Sequence, residues 1–140
     1  MRLVANHSLR LAWLAWAQLL AGRREPALEH ARRALDIALD RQERGQQARV
    51  RRLLADIEAG ADVPDVPQAE AGYRAALDLA ESLGMRPLAA QCRLGLGGLH
   101  RRVGRDEPAR GELGDALARF SAMGMTLWIE RTKAEVAALG

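Results

Sequence analysis

Apolar residues recur along this chain at helical spacing. Ala27, Ala31, Ala34, Leu35 and Ala38 follow an i, i+4, i+7, i+8, i+11 pattern, which places side chains on one face of an α-helix. Ala69, Tyr73, Ala76, Leu77 and Ala80 repeat it, and so do Ala109, Leu113, Ala116, Leu117 and Phe120. No stretch shows sustained strand-like alternation with β-branched residues. The pattern predicts seven helices, at about 7–21, 26–43, 46–59, 67–83, 87–103, 107–123 and 126–139.

Proline and glycine support this division. Pro26, Pro67, Pro87 and Pro108 each sit where a helical pattern begins, in the turn whose N–H groups have no intrahelical acceptor. Gly22, Gly60, Gly84, Gly104 and Gly124 fall where a pattern stops, and glycine there can take the left-handed conformation that closes a helix. Asp106, ahead of Glu107 and Pro108, reads as an N-cap. The longest loop is ADVPDVP at 61–67, held extended by its prolines. No linker divides the chain, so residues 1–140 read as a single domain.

The matching helices form an internal repeat. Ala27 to Ala69 is a step of 42 residues and Ala69 to Ala109 a step of 40. LGMRPL at 83–88 is echoed by MGMTLW at 123–128, again 40 residues on. Such a period implies helical hairpins that bury their apolar faces only by stacking. The hairpins are expected at about 7–43, 46–83 and 87–123, with a capping helix at 126–139.

The small residues of these hairpins resemble those of the tetratricopeptide family. Leu96–Gly97 precedes Ala109 by twelve residues, with Leu113 and Ala116 following. Leu14–Ala15 precedes Ala27 by the same twelve, with Ala31 and Ala34 following. Leu54–Ala55 precedes Ala69 by fourteen, with Tyr73 and Ala76 following. The family's Trp position holds Leu11, Arg51 and Arg93, its Tyr position holds Gln18, Glu58 and His100, and the period is longer than usual. The texture from Tyr73 to Leu88 resembles the longer-repeat arrays of bacterial LuxR/MalT-type transcription activators and adenylate cyclase-like ATPase regulators. The resemblance implies an all-α fold, with antiparallel hairpins stacked as a right-handed α-solenoid.

Composition narrows the function. The chain has 140 residues, 49% hydrophobic and 28% charged, which excludes a disordered chain. A net charge of +3, with 18 acids against 21 bases, does not point to nucleic acid. The single cysteine, Cys92, fits a reducing compartment, so a cytoplasmic location is expected. The sparing use of Asn and Lys suggests a GC-rich bacterial source. Residues 1–22 begin with a base and an apolar stretch, but the run is too short to span a bilayer and reads as an amphipathic helix.

No catalytic constellation emerges. His7, His30 and His100 lie in different helical regions without metal-ligand spacing. Cys92 falls on an apolar face and reads as a buried residue. Gly95-Leu96-Gly97-Gly98 sits within a helix, with no preceding strand and no GK[ST], so it reads as a packing feature. An enzyme, a cofactor and a metal are therefore not expected.

Partner binding has two candidate surfaces. The resemblance implies a concave groove formed by Arg49, Arg52 and Asp56, by Gln91, Leu94, Gly98, Arg101 and Arg102, and by Leu9, Ala12, Trp16 and Leu19. Its basic character would suit an acidic peptide or helix. The second surface is the first helix, which is apolar on most sides. Leu9, Trp13, Trp16 and Leu20 form a candidate assembly surface, for a second copy or for an upstream repeat of a longer array. The last helix, with Glu130, Arg131, Lys133 and Glu135 on a polar face, reads as a true C-terminal cap. The expected function is a protein–protein interaction or self-assembly scaffold of a bacterial regulator. The alternatives are a small-molecule effector in the groove and nucleic-acid binding through an arginine-rich face.

Overall fold

The computed structural model describes residues 7–139, and among them it contains seven α-helices and no strand. They are α1 (His7–Leu20), α2 (Arg24–Asp40), α3 (Arg44–Ala59), α4 (Val66–Ser82), α5 (Arg86–Arg102), α6 (Asp106–Met123) and α7 (Thr126–Ala137). The chain forms two compact units, Met1–Leu79 and Ala80–Gly140. The first holds α1 to α3 and most of α4, and the second holds the end of α4 and α5 to α7.

Both units show the same packing. In the first, α1 packs on α2 and α2 on α3, while α1 also touches α3. In the second, α5 packs on α6 and α6 on α7, while α5 also touches α7. This is the helical-hairpin repeat expected from the 40-residue period. No helix among the described residues is long and apolar enough to cross a membrane.

The repeat positions are the core. Ala27, Ala69 and Ala109 are fully buried, as are Ala34, Ala76 and Ala116. Alanine keeps the backbones close, and larger side chains fill the space beside it. In the first unit Leu28, Leu53 and Ile57 pack around Ala15, Ala27 and Ala31. In the second, Phe120 packs with Ala90 and Ala116, and Trp128 stacks on it with ring centroids 5.7 Å apart. Gly97 belongs to the same scheme. A Cβ there would lie 2.5 Å from Cγ of Leu113, so glycine is what lets α5 approach α6.

The turns are equally regular. Gly22, Gln42, Gly84, Gly104 and Gly124 all have φ between 58 and 80. After each of them, the next N–H donates to the carbonyl five residues back. The bonds run from Arg23 to Gln18, Glu43 to Ala38, Met85 to Ala80, Arg105 to His100 and Met125 to Phe120, at 2.8–3.1 Å. This is the helix-closing motif with a left-handed residue after the C-cap. Gln42 alone among them is not glycine, which explains why α2 stops at Asp40 rather than at the expected 43. The α3–α4 connection departs from the scheme. There the Asp65 carboxylate accepts from the Gln68 N–H at 3.2 Å. The expected N-cap at Asp106 is corrected: Arg105 holds that position without a side-chain bond, and Asp106 lies in the first turn.

Three outcomes follow. Gln42→Gly removes the left-handed strain of a side chain, about 1–2 kcal/mol, against about 0.5–1 kcal/mol of added chain entropy. It should raise stability by about 0.5–1 kcal/mol in urea unfolding. Gly111 and Gly114 of α6 have open space where a Cβ would go, so alanine at either should stabilise by about 0.5–1 kcal/mol. Gly97→Ala should instead lower the midpoint, because overpacking of about 1–3 kcal/mol exceeds the propensity gain.

Candidate functional site

The apolar face of α1 leaves several large hydrophobic side chains exposed. Ser8, Leu11 and Ala15 turn inward, and the Ser8 hydroxyl donates to Glu43 at 2.7 Å. Their burial fixes the rotation of the helix and leaves Trp13, Trp16 and Leu20 outside, at 66%, 42% and 70% exposure. Leu9, on the same stripe, is half-buried, and Leu14 flanks it. Every residue of the expected assembly surface therefore shares one side of α1.

The groove residues are distributed differently. Arg49 and Arg52 lie in the first unit, and Gln91, Leu94, Arg101 and Arg102 in the second. Arg49 and Arg102 are exposed. Arg52 is half-buried, with an Nε that has no hydrogen-bond partner. Leu94 packs against the Ala90–Ala116–Phe120 cluster, and Gln91 is half-buried. Asp56 accepts a short hydrogen bond from the buried hydroxyl of Tyr73. Arg101 donates through Nε to Glu135 of α7 at 2.6 Å. Gly98 lies beside that carboxylate, and a Cβ there would make ordinary contact with it at 3.7 Å. Glu135 thus faces α5 rather than the outer surface expected of it, while Glu130, Arg131 and Lys133 are exposed. Arg131 lies over the Trp128 ring, 4.8 Å from its centroid.

A charged cluster that the pattern of the sequence did not single out surrounds Arg93. Its guanidinium faces Asp115 at 3.0 Å, Glu112 at 3.2 Å and Glu81 at 3.6 Å. Arg119 joins through Asp115 at 2.8 Å and Glu81 at 3.5 Å. Burial alone would weaken the hold of Arg93 on its proton. The hydrogen bond to Glu112 and the charges of Glu112, Asp115 and Glu81 outweigh that and hold its pKa above the ordinary value.

The first unit also contains a cleft of about 150 Å³ between α2, α3 and α4. Leu35, Leu54 and Ala55 form its apolar part, and Arg32, Arg51, Glu58 and Gln68 its polar part. Glu58 is held by Arg24 at 3.3 Å and by Arg32 at 3.9 Å. Among the described residues, Arg51 has no carboxylate partner. Cys92 is buried, and no group of three or more metal-ligating side chains gathers among the described residues.

No protein-family model matches the chain, and no curated protein matches it.

The Arg93 cluster makes a definite prediction. Glu112 is nearly buried, at 12% side-chain exposure. Arg93→Ala should cost about 1–3 kcal/mol in urea unfolding, because Glu112, Asp115 and Glu81 lose the cation that stands between them. In that background Glu112→Gln should recover part of the loss, and a double-mutant cycle should give a coupling of about 1 kcal/mol or more.

Proposed function

We propose that this chain is a protein–protein docking module built of tetratricopeptide-like hairpins, and that the open side of α1 is its docking surface. The observation that carries the reading is the exposure of two tryptophans and a leucine on a helix whose opposite side is fully packed. Single exposed leucines need no explanation, but a contiguous stripe with two large rings does. Tryptophan is also the residue type most enriched where partners contribute binding energy.

The spacing supports a second copy as the partner. Leu9-x3-Trp13-x2-Trp16-x3-Leu20 reads the same in both directions, about a centre between Leu14 and Ala15. An antiparallel twofold pairing of α1 would set Leu9 against Leu20 of the other copy, and Trp13 against Trp16. Such self-complementarity is what an isologous contact requires. The stripe leaves roughly 400–500 Å² open per copy, or about 900 Å² for a pair, near the lower bound of specific interfaces. The contact is therefore of the reversible kind. The 40-residue step and the Tyr73–Leu88 segment support reading the chain with the longer-repeat arrays of LuxR/MalT-type regulators, in which the same surface would receive another hairpin.

Light scattering over a concentration series tests the reading. The native chain should move reversibly from monomer to dimer. Trp13→Glu/Trp16→Glu should stay monomeric, with an unfolding midpoint close to the native one because both side chains point outward. A native chain that is monomeric throughout would overturn the self-association.

A further inference from the structure

The repeat places three residues, Leu11, Arg51 and Arg93, at one structural position, each four residues before the small residue Ala15, Ala55 or Gly97. The surroundings of the three differ. Leu11 is buried among apolar neighbours. Arg93 is surrounded by Glu112, Asp115 and Glu81. Counting from Ala69 and Ala109, the residue equivalent to Glu112 is Gly72, and the one equivalent to Asp115 is Ala75. The equivalent of Glu81 on the preceding hairpin is Leu39. Arg51 therefore occupies the site of Arg93 with all three carboxylates deleted.

At Gly72 a Cβ would lie 3.2 Å from Cβ of Ala55, so the glycine lets α4 approach α3, and a cleft lies beside that contact. Gly72 lines the cleft beside Arg51, where the Glu112 side chain would begin. We infer that this cleft is a binding site for an acidic side chain of a partner peptide, which inserts where the second unit carries its own Glu112. The volume of about 150 Å³ suits a glutamate side chain. Leu35 and Leu54 offer apolar contact to its methylenes or to a neighbouring apolar residue, and Gln68 is a further donor at the rim. Glu58 is the acid in the cleft, and Arg24 and Arg32 engage it. That leaves the Arg51 charge for the ligand. A guanidinium takes a carboxylate through two parallel N–H bonds, so the site distinguishes glutamate from glutamine.

The experiment uses the full chain and NMR of the arginine Nε–Hε groups. The probe is a blocked peptide, acetyl-Leu-Glu-Leu-amide, compared with acetyl-Leu-Gln-Leu-amide. The glutamate peptide should shift the Arg51 resonance saturably, and the glutamine peptide should bind at least about tenfold more weakly. Arg51→Leu places the residue of the first hairpin at this position and should fold, while losing the response. Ala75→Glu supplies an internal carboxylate in the place of Asp115 and should also abolish binding. Equal titration by both peptides would overturn the inference, as would saturation by acetate at the same concentrations, or an unchanged response in Ala75→Glu. None of these outcomes bears on the α1 surface, which the mass measurement tests separately.

Discussion

The close approach of paired helices at small residues is the constraint on which the rest of the structure depends. A helix with only alanine and glycine at its contact line brings its backbone against the neighbouring helix, and the partner side chain must match the remaining space. The chain meets this requirement in three ways at equivalent positions. Ala15 clusters with Ala31, Ala55 lies against Gly72 and Gly97 against Leu113, so the contact line shrinks to glycine opposite that leucine. All of these side chains are buried, and their rotation about the helix axis decides which residues face outward. The exposure of Trp13 and Trp16 is thus a consequence of Leu11 and Ala15 facing α2 and α3.

Charge is distributed in the gaps that this packing leaves. Where the packing line is complemented by acids, as around Arg93, the cation becomes part of the hairpin. Where glycine and alanine stand in their place, as beside Arg51, the same cation faces a cleft. Arg101 illustrates the intermediate case, since its carboxylate partner, Glu135, comes from the last helix, α7. Identical residue types in a repeat therefore differ in availability, and the difference is set by the neighbouring hairpin positions rather than by the arginine itself.

Much of the fold was legible in the pattern. The helix count, the positions of the turns and the buried alanines all follow from spacing, because period and glycine placement are local properties. Two kinds of feature were not. The end of α2 moved because Gln42 takes the left-handed conformation, and nothing in that side chain announces it. The pairing of Glu135 with Arg101 joins residues 34 positions apart, and a helical wheel of α7 alone assigns that glutamate to the outside. The exposure of Trp13 and Trp16 was readable because α1 is apolar on more sides than α2 and α3 cover. The cleft at Arg51 was present in the repeat alignment as Gly72 against Glu112, but an absent side chain acquires meaning only beside its occupied equivalent.

The nearest-neighbour packing also governs how the chain reaches this state. Within each unit the helices touch partners that are adjacent or next-but-one in sequence. Contacts of such short range carry little loop-closure entropy, so nucleation can begin at any hairpin, and the folding rate belongs to the fast class of helical bundles. The five left-handed turns shorten that search further, since each closes one helix and aims the next before any distant contact has formed.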